Sequence, residues 1–127
     1  MNQILLIALG GSIGASFRFL TGFLAVKLFG KSEVMTGTVL ANIIGCLLAG
    51  ILLGLVSAEL LLTQSEILFL TIGLLGSYTT FSTFALEAYQ IGKQSVLKLF
   101  VYLFLQLVVA FLATISGYGF IQLISGA

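Results

Sequence analysis

The chain contains no histidine, no aspartate, no tryptophan and no proline. Without histidine, aspartate or any pair of neighbouring carboxylates, nucleophile–histidine catalysis and transition-metal chemistry have almost nothing to be built from, so an enzyme is not expected. A single cysteine, Cys46, leaves no internal disulfide and no cysteine zinc site; within an apolar segment it reads as a small packing residue. Charge is scarce too: five Lys/Arg and four Asp/Glu make up 7% of 127 residues, where a soluble domain carries about 25%. The net charge of +1 gives no case for binding nucleic acid. The first residues show neither a basic region ahead of an apolar core nor a small-residue cleavage site, so no removable signal peptide is expected. What is present is apolar: 60% hydrophobic residues and a mean hydropathy of +1.26 identify an integral protein of the lipid bilayer. Long unbroken apolar runs exclude a β-barrel.

The length accommodates about four helical crossings with short connections and no separate soluble domain. Apolar stretches place these spans at about 4–26, 39–60, 67–89 and 99–124, within one unit covering 1–127. The connections then fall at 27–37, 59–66 and 90–98, and with no proline available their turns rely on Gly, Ser and charged residues. Lys27 and Lys31 lie in the first connection and Lys93 and Lys98 in the third, whereas the second connection carries Glu59 and Glu66 and neither terminus carries a Lys or Arg. Four basic residues on one side against none on the other is a positive-inside pattern. It predicts a multi-pass protein of the cell (plasma) membrane with both termini outside.

Small residues recur at helix-packing intervals: Gly10/Gly14 and Gly11/Ala15 in the first span, Ala41/Gly45/Ala49 and Gly50/Gly54 in the second. In lipid, close backbone approach through small residues is a principal means of holding helices together. Two such faces on the second span suggest contacts both within the chain and with another chain.

Polar residues inside these spans require a reason. Arg18 costs about 2.5–3.5 kcal/mol at membrane depth on insertion scales, so it faces a wet vestibule or a partner such as backbone carbonyls or Glu87. Thr38, Asn42 and Cys46 share one face of the second span. Asn42 is either an interhelical hydrogen bond worth about 1 kcal/mol or a donor aimed into an anion path. Tyr102, Gln106, Ala110 and Thr114 form a stripe along the fourth span that fits either a narrow water-lined route or an ordinary interface. The third span holds the densest cluster: of the eight residues after Gly76, six carry hydroxyls (Ser77, Tyr78, Thr79, Thr80, Ser82, Thr83) and two are Phe81 and Phe84. A backbone without water must satisfy itself, so this string reads as a helix break at membrane depth, where ion sites are built. Phe81 and Phe84 read alone as packing; beside the break, their positive ring edges could also meet an anion. Glu87 follows the break and either caps a pathway or is solvated.

Three strings carry a family resemblance along essentially the whole chain: Gly11-Ser-Ile-Gly14-Ala15-Ser-Phe-Arg18, Gly37-Thr38-Val-Leu-Ala-Asn42-Ile-Ile-Gly45, and Gly76-Ser-Tyr-Thr79-Thr80-Phe81-Ser82-Thr83-Phe84 with Glu87. In these the sequence resembles the CrcB/Fluc fluoride channels. The resemblance implies an all-α membrane protein of four transmembrane helices, the third broken mid-membrane, assembled as an inverted, antiparallel dimer. It implies passive, fluoride-selective export that lowers cytoplasmic fluoride and gives fluoride resistance. Carried over position by position, Asn42, Phe81 and Phe84 contact fluoride, with Thr38, Ser82, Thr83 and Tyr102 along the route. A structural sodium ion, not transported, is held at the dimer centre by the Gly76 and Thr79 carbonyls. Arg18 and Glu87 match charged family positions.

Departures from the family pattern sharpen the expectations. Ser77-Tyr78 stand where a glycine-rich pair is usual, and Gln106 and Ala110 stand where small hydroxyl residues are expected. The lysine bias opposes insertion in both directions, so the chain is expected either as a homodimer or as a heterodimer with an oppositely oriented paralogue. Three alternatives compete. A small multidrug-type transporter is built around a first-helix carboxylate, and this first span has Arg18 and no acid. A non-conducting or partner-dependent subunit is expected to lose the Asn42 and Phe81/Phe84 set, which is intact. An intramembrane enzyme lacks its acid–base residues.

Overall fold

The computed structural model describes residues 2–59 and 62–126. Leu60, where the second span is expected to end, lies outside them. Among the described residues, four helices are long and apolar enough to cross a membrane: α1 (Gln3–Phe29), α2 (Gly37–Ser57), α3 (Gln64–Gln94) and α4 (Val96–Ser125). No strand occurs among the described residues. This is the architecture of a multi-pass membrane protein, because a helix satisfies its own backbone without water.

Each helix starts slightly ahead of its apolar run, and capping side chains explain why. Asn2 Oδ1 accepts from Ile4 N, Thr36 Oγ1 from Val39 N, and Ser95 Oγ from Lys98 N. Thr63 and Glu66 form a reciprocal capping box at the start of α3. These side chains bond the amides that a helix's first turn leaves without partners, so helix extends past the edge of the hydrophobic signal. At the other ends, Lys27 and Lys93 sit in the last turns of α1 and α3, where a cation complements exposed carbonyls.

Glycines set the packing. Along the α1–α3 seam, a Cβ on Gly10 would come within 2.6 Å of the Phe69 carbonyl oxygen, and one on Gly73 within 2.8 Å of the Ile7 oxygen. Gly14 lies against Ser77 Oγ and the Leu74 carbonyl. The α2–α4 seam seats Gly50 on the Thr114 carbonyl, Gly54 on Ile121 and Gly117 on the Leu47 carbonyl. Gly45 receives the methyl of Thr79. The glycines of both small-residue faces of α2 are thus seated within the chain, while Ala49 stays exposed on the first of them. The Gly11/Ala15 face is open as well: nothing approaches Gly11 within 4 Å, and Ala15 is exposed.

Two wide turns interrupt the regular α geometry, Phe69–Leu75 in α3 and Leu105–Val109 in α4. In an α-helix, residues four apart drift by about 40° per step. The π turn in α4 takes up that drift and keeps Tyr102, Gln106 and Ala110 in one buried column facing α2. Val39 and Ile91 close over Tyr102 to form the small core at this end. An ion pair between Lys98 and Glu33 ties the first connection to the third, so the two lysine-bearing connections lie at the same end of the bundle.

Candidate functional site

α3 is interrupted at residues 79–81. Helix ends at Tyr78, Thr79 is extended (φ −83°, ψ 161°), and helix resumes at Ser82. The cause lies across the bundle on α2. The Asn42 carboxamide takes both backbone groups of Thr80: Oδ1 accepts from Thr80 N at 2.9 Å, and Nδ2 donates to Thr80 O at 3.0 Å. In an uninterrupted helix Thr80 N would donate to the Gly76 carbonyl; here it is drawn to Asn42. Likewise Thr83 N, the helical donor for the Thr79 carbonyl, bonds instead to Thr80 Oγ1 at 3.3 Å. Gly76 and Thr79 thus both lose their regular α-helical donors. Thr80 Oγ1 also reaches Thr83 Oγ1 at 3.1 Å and Ser82 Oγ at 3.3 Å, which closes the hydroxyl cluster behind the break.

From Asn42 a continuous polar chain runs along the α2–α4 seam, and its polarity follows link by link. Thr80 N can only donate and Thr80 O only accept, so Oδ1 of Asn42 faces the amide and Nδ2 the carbonyl. Nδ2 then needs a further acceptor, which is Gln106 Oε1 at 2.9 Å. Gln106 Nε2 therefore points at Tyr102 and donates to its hydroxyl at 3.2 Å. The Tyr102 proton goes on to Glu87 Oε2 at 2.6 Å. Glu87 is also the acceptor for Thr36 Oγ1 at 2.8 Å and Thr38 Oγ1 at 2.9 Å. An ionised carboxylate is an acceptor only, so it suits the meeting point of three donors. Tyr102 is fully buried, and Gln106 and Thr38 are 7% and 8% exposed. No buried side-chain nitrogen or oxygen among the described residues is left without a partner.

Beside this chain lies an open, mainly apolar groove of about 830 Å³ between α2, α3 and α4. Asn42, Gly76, Thr79, Phe81, Phe84 and Gln106 all line it, and no Lys or Arg does. Phe81 is 77% exposed. Its ring lies 5.4 Å from that of Phe84 at a 56° tilt, and Phe84 stacks on Tyr102 at 5.9 Å. The structure thus brings Asn42, Phe81 and Phe84 together with Gly76 and Thr79 on one surface. Thr38 and Tyr102 lie behind it in the buried chain, and Ser82 and Thr83 belong to the hydroxyl cluster.

Arg18 stands apart. It is half-buried on the stripe of α1 that carries Gly14 and Thr21, one turn from the Thr21–Tyr78 hydroxyl bond of 2.9 Å. Among the described residues the carboxylate of Glu87 is met by hydroxyls and makes no ion pair with Arg18. Two participants were not read as bonded from sequence. Thr36 carried no signal beyond preceding a helix. Gln106 stands out in the sequence as a member of the fourth-span stripe and a departure from the family pattern, with no partner indicated, although an amide on an uncharged helix requires one.

A sequence profile of the family described as "CrcB-like protein, Camphor Resistance (CrcB)" matches residues 5–118. A protein of Chloroflexus aurantiacus named fluoride-specific ion channel FluC is 46% identical over 91 residues, covering 72% of this chain and 71% of that one. The same name is carried by a protein of Agrobacterium fabrum, 39% identical over 118 residues and covering 92% and 94% of the two chains. A third, from Shewanella woodyi, is 48% identical over 87 residues and covers 68% of each. Those matches, extending from the first helix through the fourth, show that the chain belongs to the CrcB family.

Proposed function

We propose that this chain is the subunit of a fluoride-selective channel. The carrying observation is the interrupted third helix pinned by Asn42, with Phe81 and Phe84 beside it on an open groove, in a chain whose relatives are named fluoride-specific ion channels. Fluoride is small and strongly hydrated, so a selective path replaces its water with several donors and lets no one of them hold it too well. Amide N–H, hydroxyl and phenyl-edge groups offer such moderate contacts; a lysine in the groove would act as a trap. Asn42, Phe81 and Phe84 are assigned to contact the anion, with Thr38, Ser82, Thr83 and Tyr102 along the route. Export is passive. Hydrogen fluoride enters across the lipid, dissociates in the less acidic cytoplasm, and the trapped anion leaves through the channel down its gradient, which gives fluoride resistance.

The groove is open because a second subunit completes it, and the proposed occupant is an inverted copy or a close paralogue. The break then lies near mid-membrane at the dimer centre. Gly76 and Thr79 are the residues that would hold a structural sodium ion there. Their carbonyls are freed from the usual helical donors, and an all-oxygen donor set suits a hard cation. When bound, the ion supplies positive charge that two facing breaks can share. With Lys27, Lys31, Lys93 and Lys98 in connections at one end of the bundle, the proposed orientation in the plasma membrane puts them in the cytoplasm and both termini outside. The same bias favours an oppositely oriented paralogue as partner.

Fluoride release from proteoliposomes containing this chain alone tests the reading, with chloride release and Asn42→Ala measured in parallel. Fast, fluoride-selective release weakened by the substitution supports a self-sufficient channel and removes the need for a paralogue. Silence from folded protein points to a required partner, and silence with that partner present overturns the channel.

A further inference from the structure

The hydrogen-bond order of the buried chain places a constraint on Asn42. An amide nitrogen has two N–H donors. In Asn42 one is engaged by the Thr80 carbonyl, as half of the two-point clamp on the break, and the other by Gln106 Oε1. An anion that takes a hydrogen bond from Asn42 must therefore displace either the backbone of α3 or the side chain of Gln106. The first would undo the clamp. The second moves one flexible side chain that already lines the groove.

We propose, resting on the assignment of Asn42 as an anion contact, that Gln106 is the latch of the pathway: its carbonyl holds the Asn42 donor until an anion replaces it. Glutamine suits this role chemically. Rotation about its last side-chain bond exchanges Oε1 and Nε2, so the group that met Asn42 as an acceptor meets the incoming anion as a donor. The second N–H of Gln106 has no protein acceptor among the described residues, so a donor is available before any rotation. Rotation also presents Oε1 to Tyr102, whose hydroxyl can turn from Glu87 and donate to it, and Glu87 keeps Thr36 and Thr38. The π turn at Leu105–Val109 keeps this residue in register with Asn42. A serine at position 106 has no carboxamide whose two ends can be exchanged, so the latch depends on glutamine itself.

A latch and a merely supporting strut predict opposite outcomes. Gln106→Met keeps the length of the side chain and removes both amide ends. If the carbonyl competes with the anion, its removal frees the Asn42 donor, and the fluoride concentration for half-maximal release from the assembled channel falls by about two- to twelvefold, the range set by one hydrogen bond of ordinary net strength. That gain disappears in the Asn42→Ala background. If Gln106 only holds Asn42 in place, the half-maximal concentration rises or release slows, and either result, or no change, overturns the latch. Gln106→Ala is read in the same way should the methionine variant fail to assemble; failure of both to assemble also overturns it, because the bridge is then a requirement of folding. Should Asn42→Ala alone leave release unchanged, the assignment of Asn42 as a contact fails. Loss of the latch with Asn42 sensitivity intact leaves that assignment standing.

Discussion

Glu87 offers the most quantitative test of the buried chain. Replacing it with leucine removes the acceptor of three hydroxyls. Thr36 lies at the mouth of a connection and still caps α2, so water can take over its bond. Thr38 and Tyr102 are 8% and 0% exposed and have no such recourse. Each buried, unmatched hydroxyl costs about 1–3 kcal/mol, so Glu87→Leu is expected to destabilise by about 2–6 kcal/mol. The damage also spreads, because Tyr102 can find a new acceptor only by reversing Gln106, which in turn breaks the bond from Asn42. Glu87→Gln behaves differently. Its oxygen can serve Thr36 and Tyr102 while its N–H meets Thr38, whose hydroxyl can accept as readily as donate. The exchange of charged for neutral bonds costs about 1 kcal/mol each and is offset by no longer desolvating a carboxylate. The two variants should therefore differ by at least about 2 kcal/mol, or roughly 4–16 °C in Tm, measured by thermal unfolding of the purified protein in detergent. Equal melting temperatures for the glutamine and leucine variants would refute the claim that this carboxylate satisfies the buried hydroxyls.

Further outcomes follow from the packing. Gly10→Ala sets a methyl within 2.6–3.1 Å of backbone atoms of Phe69, Gly73 and Leu74, none of which can yield, and should lower Tm and yield. Gly119→Ala meets nothing within 4 Å and should be neutral or stabilise by about 0.5–1 kcal/mol through helix propensity, so equal effects in the two would refute the seam. Thr80→Val removes the hydroxyl that holds Thr83 N and should cost about 0.5–2 kcal/mol, as other lost caps do, read as a fall in Tm. Replacing Lys27, Lys31, Lys93 and Lys98 with glutamine should turn a single orientation into a mixture in a terminal-reporter assay; an unchanged, single orientation would show that these lysines do not set it.

Much of the fold was legible because apolar runs of sufficient length leave the backbone few options besides helix. The helix starts were not, because Thr36, Thr63 and Ser95 extend helix beyond the hydrophobic signal that marks a span. Asn42 stood out as an amide in an apolar run, but its partner is a backbone 38 positions away and carries no side-chain signature. The string from Gly76 to Phe84 announced an irregularity through its hydroxyls, and the interruption at 79–81 falls within it. Gln106 was conspicuous as a departure and mute as to purpose, since a four-residue stripe fits an interface and a route equally well. Its register depends on a π turn, which no periodicity of 3.6 reveals. The environment of Glu87 needed three elements brought together, and Arg18 needed to be seen apart from it.

The buried chain from Asn42 to Glu87 also bears on what a cell membrane can tolerate. A file of groups that each take up and release a proton would short-circuit the energy stored across the bilayer. Two successive links here are carboxamides, whose nitrogens give hydrogen bonds but do not accept protons at ordinary pH. A proton arriving at Tyr102 therefore finds no onward carrier, however continuous the bonds look. Two carboxamides in series thus interrupt proton relay along the bonded thread from Asn42 to Glu87, a property that the list of bonds alone would hide.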